Sequence, residues 1–438
     1  MVLLSATLLA VACAGLTSAH AVSEGTSEHQ LLPRYPVEVD DVHLHEIESR
    51  ANSFKCPVFP GVTASQTCGD KDILWDNVSY EGKTVTYYFA PNDKIISAAS
   101  AANRKAVRDL LEDSIKYALT AYKNVAKGLK IYVGVVGLIE NNSGLFGMAN
   151  VGAKDNKVQY CGVLMKYPSS VSDPIIKLRT QKAMVHELYH CMQFGQNYIG
   201  MPKNGQGTRG KWWVEGTARW MDGVLYPPQK HQDLLDLGEF PEEYKWQKSL
   251  PEQTYEAALY YHYLNQAGIS NAIINNWVTT KKARNTLAED LADAANTPML
   301  ANNWHGFAEA FANNAINYTS KIAIHIDKPF PQPLTTVVPR LILGGMETWN
   351  YYRDSFTFNI GRFSFPKGTE HRLTFPSGKG FQCSYRQQGG PKAWLGHGDP
   401  SVTIKNTHTD GFGVDILCSC NAAVTCSGKL TVKRMANP

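Results

Sequence analysis

One stretch, MVHELYHCMQF at residues 184–194, constrains this chain more than any other. It sets His186 and His190 four residues apart, with Glu187 directly after the first. Leu178, Val185, Leu188 and Met192 recur around it at helical spacing. Asp173 and Pro174 supply a helix start, and Gly195 a stop. A helix advances about 100° per residue, so positions i and i+4 lie nearly in line, about one turn apart. Both imidazoles can therefore meet one tetrahedral Zn²⁺ at about 2.0–2.1 Å. Glu187 lies to one side, placed to reach a water on that ion without binding the ion itself. The competing reading is an ordinary amphipathic helix whose polar face carries two histidines.

A catalytic zinc needs a third protein ligand and one open position. The segment KWWVEGTARWMDG offers Glu215 among Trp212, Trp213, Val214, Ala218 and Trp220. A carboxylate in such surroundings is costly to bury without a partner. A cation resolves that cost, and Arg219 at i+4 is the alternative partner. Gly216 and Ala218 are small enough to let this helix approach the first. Asp222, seven residues after Glu215, is the candidate carboxylate to orient a zinc-bound histidine from behind.

HELYH and WWVEGTARW together resemble the gluzincin metallopeptidases, over roughly residues 83–319. The resemblance implies zinc bound by His186, His190 and Glu215, with Glu187 as general base and proton shuttle. The loop between His190 and Glu215, 24 residues, is longer than in the best-known members. FGMAN at residues 146–150 is similar to the G-x-M-E-N strand of the aminopeptidases, with Ala149 in place of the amine-binding glutamate. That departure favours an endopeptidase whose FGMAN segment is an edge strand pairing with extended substrate; a plain glycine loop is the alternative. The family usually has a Tyr or His to stabilise the oxyanion. Candidates here are Tyr255, Tyr260, Tyr261 and His262, each of which core packing would also explain.

The rest of the chain sets the frame. At 438 residues it is long enough for two or three domains. KTVTYYFA, KIYVGVVGLI and KVQYCGVLMKY read as strands and residues 101–126 as a helix, with Val107, Leu110, Leu111, Ile115, Ala118 and Tyr122 on one face. More helical patterns follow Glu215. DKPFPQPLTTVVP then places four prolines in thirteen residues, a linker. Beyond it, SFTFNIGRFSF, HRLTFP, SVTIKN, GVDILCSC and KLTVKRM alternate with turns, as in a small β-sandwich or barrel. The expected fold is α+β. A signal peptide spans 1–21, an N-terminal extension or propeptide 22–80, and a zincin-like catalytic domain 81–326. A Pro-rich linker at 327–339 and a β-sandwich domain at 340–438 complete the chain.

The first 21 residues, apolar and ending in small side chains, read as a secretory signal; an uncleaved apolar helix is the alternative. Removing Cys13 leaves Cys56, Cys68, Cys161, Cys191, Cys383, Cys418, Cys420 and Cys426, an even set fitting disulfides in an exported protein. Spacing pairs Cys56 with Cys68 and Cys161 with Cys191, and groups the rest among themselves. Sequons at Asn77, Asn141 and Asn317 fit a secreted glycoprotein. A net charge of +4 is too mild to argue for nucleic acid, and no later stretch is apolar for long enough to span a bilayer. The partner expected is a peptide or protein substrate; what the C-terminal domain binds is open. The leading reading is a secreted zinc endopeptidase. The alternatives are a zinc aminopeptidase and an inactive binding or adhesion protein on the same scaffold.

Overall fold

The computed structural model describes residues 76–80, 83–89, 94–122, 129–137, 146–154, 157–197, 201, 209–229, 248–318, 322–323, 336–337, 345–376, 378–388, 393–396, 399–406 and 412–436. The signal segment, most of the 22–80 extension, Cys56, Cys68 and Asn141 lie outside these residues.

A five-stranded mixed sheet holds β1 (Asp76–Tyr80), β2 (Lys83–Phe89), β3 (Lys130–Val136), β4 (Gly147–Lys154) and β5 (Lys157–Lys166), in the order β1-β2-β3-β5-β4. The central strands β2, β3 and β5 run parallel, and β1 and β4 are antiparallel edges. The near-continuous apolar run of β3 follows from burial on both faces. β1 includes Asn77 and lies inside the stretch read as the N-terminal extension.

Helices cover this sheet. After the short α1 (Lys94–Ala98), α2 (Ala101–Ala121) buries the face expected of it, Val107, Leu110, Leu111, Ile115 and Ala118. α3 (Pro174–Asn197) begins where Asp173 Oδ1 accepts the N–H groups of Ile175 and Ile176, at 2.8 and 3.1 Å. It does not stop at Gly195. Two further residues are helical, because the Asn197 amide donates to the carbonyls of Val278 and Lys281 and ties the helix end to its neighbour. From Met184 to Phe194 every residue is buried, including the polar ones. The helix is therefore no surface amphipath but the central rod of the molecule, lying between the sheet, α2 and α4 (Lys211–Leu225).

Past two 3₁₀ turns, Leu250–Glu252 and Tyr255–Ala257, come α5 (Ala258–Gln266), α6 (Asn271–Thr280), α7 (Leu287–Ala295), α8 (Pro298–Ala301) and α9 (Trp304–Ala312). Two-residue strands β6 (Asn317–Tyr318) and β7 (Ile322–Ala323) form a small hairpin carrying Asn317, whose backbone N–H is held by the Gln266 side chain.

The C-terminal part is two four-stranded sheets packed face to face. One has the order β12-β14-β10-β8, from β8 (Thr336–Val337), β10 (Thr357–Phe365), β12 (Phe381–Gln387) and β14 (Phe412–Cys420). The other has the order β13-β11-β15-β9, from β9 (Met346–Arg353), β11 (Thr369–Thr374), β13 (Ser401–Asn406) and β15 (Cys426–Ala436). β8 falls within the Pro-rich stretch, and β9 and β12 are additional to the strands read from sequence. Phe363, Phe365, Leu373, Ile404, Ile416, Leu430 and Val432 fill the space between the sheets. The first sheet's other face packs on the helices: Trp304 and Phe307 of α9 meet Phe358 of β10. Cys383 bonds Cys418, its ladder partner on β14, and Cys420 bonds Cys426 across the β14–β15 turn. Among the described residues no helix is long and apolar enough to cross a membrane.

Candidate metal centre

α3 and α4 bring three electron-rich atoms together. His186 Nε2 lies 3.2 Å from His190 Nε2, and Glu215 Oε2 lies 3.4 Å from each. All three side chains are buried. Donors about 2.0–2.1 Å from one tetrahedral ion sit about 3.3–3.4 Å from each other, the edge of that tetrahedron. The three observed separations match that edge.

The hydrogen bonds behind these side chains decide what those atoms carry. Gln193 Nε2 donates to the Val214 carbonyl at 2.9 Å and to Thr217 Oγ1 at 3.0 Å. Thr217 spends its own proton on the Trp213 carbonyl. The Gln193 oxygen is thereby fixed toward His190 Nδ1, at 2.7 Å, and accepts its proton. Asp222 Oδ2 does the same for His186 Nδ1, at 3.2 Å. With both Nδ1 atoms protonated, the neutral form of each imidazole presents its lone pair at Nε2. Two lone pairs and a carboxylate oxygen facing one another in a dry interior repel unless a cation joins them. The residues present therefore fit a divalent ion such as Zn²⁺, and this group could hold one.

Protonation energetics carry the same message. Burial opposes a charged His186, yet hydrogen bonds to Asp222 and Glu215 lift its pKa to about 10. Burial likewise opposes a charged His190, and Glu215 lifts it above the usual range. Burial pushes Glu215 up, but the two histidines hold it well below a normal carboxylate. Positive charge is what this cluster asks for. Burial also raises Glu187, against the pull of the histidines.

Asp222 is charged in its turn. Burial works to raise it, but Lys182, then Arg219 and His186, hold its pKa at about 2. Lys182 Nζ, itself buried, sits 2.7 Å from Asp222 Oδ1, whereas Arg219 is 3.8 Å from Oδ2. Arg219 is thus a partner of Asp222, and Glu215 faces the histidines.

Glu187 points to the edge of the sheet. Its carboxylate accepts the backbone N–H of Ala149 on β4. A Cβ on Gly147 would come within 2.8 Å of Glu187 Cγ, so glycine is what lets strand and carboxylate approach this closely. The disulfide Cys161–Cys191 ties β5 to α3 next to His190 and keeps the two registered.

The four oxyanion candidates separate. Tyr255 lies with its ring 5.9 Å from the His186 ring. Tyr260 turns into the core and donates to the Leu300 carbonyl. Tyr261 packs between Trp220 and Trp277. His262 sits behind the cluster, where burial and then Lys182 depress its pKa to about 3. Gly216 does not serve the contact with α3. A Cβ there would come within 2.8 Å of Ala257 Cβ and 3.2 Å of the Thr254 carbonyl, so it makes room for the turn that carries Tyr255. Gln193 and Lys182 are site residues that the motif reading missed.

No protein-family model matches the chain, and no curated protein does. Among solved structures, the chain is similar to an aminopeptidase N family protein from Idiomarina loihiensis, with 10% identity and a TM-score of 0.32. The likeness covers 48% of this chain and spans 40% of that one.

Proposed function

We propose that this chain is a zinc peptidase of the gluzincin type, acting within peptide chains, and secreted. The observation that carries the reading is the convergence of His186 Nε2, His190 Nε2 and Glu215 Oε2 at tetrahedral-edge distances. The zincin-like fold and the division into a catalytic part and a β-sandwich near 327–339 belong to the same reading. Three buried disulfides are compatible with an extracellular setting.

His186, His190 and Glu215 hold the ion. When bound, Zn²⁺ supplies Lewis acidity toward water and toward a substrate carbonyl. The remaining steps belong to the protein's own groups. β4 is an edge strand that runs past the site, with the Ala149 N–H on Glu187, so an extended substrate can add to it as a further strand. Glu187 takes a proton from the attacking water and returns it to the leaving amine. Its burial beside the β4 edge suits that exchange, because a raised carboxyl pKa lies closer to working pH. Asp222 and Gln193 keep each histidine in the tautomer that offers Nε2. Tyr255 donates to the oxyanion in this reading, supported by its ring lying 5.9 Å from that of His186. Ala149 leaves the strand without a carboxylate for a free amino terminus, which favours internal bonds over N-terminal ones.

The test is Glu187→Gln measured beside wild type. Zinc content should stay the same while kcat falls about 10²–10⁴-fold. Hydrolysis of N-terminally blocked peptides should match or exceed that of free ones. An unchanged rate in the variant would rule out Glu187 as the base; no hydrolysis by wild type itself would favour a binding protein, and strict dependence on a free amino terminus would favour an aminopeptidase.

A further inference from the structure

The sheet β13-β11-β15-β9 has one face in the sandwich core and one in solvent. Leu373, Leu430 and Val432 point inward, so by strand alternation Arg372, Lys429 and Lys433 point outward. All three are exposed. Arg372 and Lys433 are ladder partners, which sets their Cβ atoms about 5 Å apart on one face; the Arg372 guanidinium leans toward β13, donating to Ser401 Oγ from Nε at 3.3 Å and from Nη2 at 3.0 Å. Like charges directly opposite cost stability. Among the described residues none of the three is ion-paired, and the carboxylate on that face, Glu370, is engaged with Lys405 at 3.5 Å. Lys429 lies four residues from Lys433 on the same strand, about 13 Å away.

Between these charges runs a row of hydroxyls. Thr348, Thr431, Thr374 and Ser401 are successive ladder partners across all four strands. At one end of the face Tyr352 stands 62% exposed. The large apolar residues of this face, Met346 and Met435, stand exposed at the opposite end from Tyr352 and leave the middle to the threonines. The other outer face of the sandwich is covered by α9, so this one is the broad face left to solvent.

We propose that this face binds an acidic polysaccharide, a chain bearing uronate carboxylates or sulfates. The cations answer its charges. The hydroxyl row offers donors and acceptors to sugar hydroxyls, and the Tyr352 ring offers a flat amphipathic surface to a sugar face. A flat sheet suits an extended polymer. A bilayer would call for apolar side chains at the centre, where this face has threonines. The inference stands independently of the zinc chemistry.

Full-length protein is assayed for binding to polygalacturonate, to dextran sulfate and to neutral dextran. Binding to at least one polyanion, weakening as salt rises and absent with neutral dextran, is expected; the polymer preferred identifies the anion. The triple variant Arg372→Gln/Lys429→Gln/Lys433→Gln should lose at least tenfold in affinity with peptide hydrolysis unchanged. Tyr352→Ala should weaken binding without altering net charge. A control removing three charges elsewhere, Lys105→Gln/Lys116→Gln/Lys282→Gln, should bind as wild type. The proposal fails if neither polyanion binds, if the control loses as much as the triple variant, or if phosphatidylserine vesicles bind while both polysaccharides do not.

Discussion

Two buried histidine clusters in this molecule look alike at first and differ in one respect. His305 of α9 is enclosed between the helices and the sandwich, with Nδ1 2.8 Å from Ser419 Oγ and Nε2 3.1 Å from Ser384 Oγ and 3.2 Å from Glu309 Oε1. Each of its nitrogens meets a group that can complement it, since hydroxyls donate or accept as required. His186 and His190 also have carboxylate and amide partners, but those partners use up the Nδ1 protons and turn both Nε2 lone pairs onto the Glu215 carboxylate. A self-complementing cluster holds a fold together; one that needs an added positive charge is a binding site. Burial, residue type and proximity to a carboxylate are the same in both cases. Complementarity of protons and lone pairs tells them apart.

The largest effect that could break this comparison is expected at Lys182. If Asp222 is a fixed anion, removing its buried cation leaves an uncompensated charge, which costs about 3–5 kcal/mol. Lys182→Met should therefore lower the denaturation midpoint sharply. Lys182→Met/Asp222→Leu, which removes both charges, should recover much of the loss while weakening zinc binding, because His186 then lacks its acceptor. A double variant no more stable than Lys182→Met would show that Lys182 acts through packing instead.

A smaller effect separates the two clusters directly. Gln193→Leu removes the acceptor that fixes the His190 tautomer and should weaken zinc binding about 10–100-fold, the usual cost of losing such a partner. His305→Gln, the matching change in the self-complementing cluster, should cost stability on the order of 1–2 kcal/mol and leave zinc affinity unaltered. Competition with a fluorescent chelator reads both. Equal affinity in wild type and Gln193→Leu would mean the tautomer is set by something other than the amide.

How much of this could be read beforehand follows from which signals are local. His186, Glu187 and His190 were legible because helical period alone puts them together. Glu215 was legible because a carboxylate among tryptophans needs a reason. Lys182 and Gln193 carry the same periodic signal, at i−4 from His186 and i+3 from His190, but a polar stripe on a helix reads as a solvated face, and only the enclosing sheet, α2 and α4 show that it is buried. Gly216 could not be read because its role depends on the Thr254–Tyr261 segment, 38 or more residues on. Tyr255 could not be told from Tyr260 and Tyr261 for a similar reason. Among the strands, β10, β11, β13, β14 and β15 announced themselves by β-branched alternation. β9 (METWNYYR) and β12 (FQCSYRQ) mix polar and aromatic residues, and only the neighbouring strands reveal which face is buried.

The same contrast between answered and unanswered charge recurs, more weakly, at the two ends of α4, which carries Glu215. Near its C-terminal end, Asp222 is held ionised by Lys182. At its start, Asp290 of α7 is buried against the Gly210 N–H and the Trp212 indole, and its closest cationic influence is Arg209. Burial wins there and raises Asp290 to about 6, despite those donors and with Asp293 adding to the rise. Because the folded-state value lies above the unfolded one, the native state binds the proton more tightly. Its stabilising contribution is full below about pH 3.8 and is lost as pH rises through about 6. Over that window this group alone should take away about 2 kcal/mol, a figure reduced for residual solvent screening. Asp290→Asn keeps an acceptor for both N–H groups and cannot ionise. It should match wild type near pH 4 and exceed it in stability near pH 7, so thermal midpoints of the two proteins should diverge with rising pH. Parallel curves would mean that the start of α4 tolerates a buried anion as readily as its end does, and that the N–H groups there suffice without a cation.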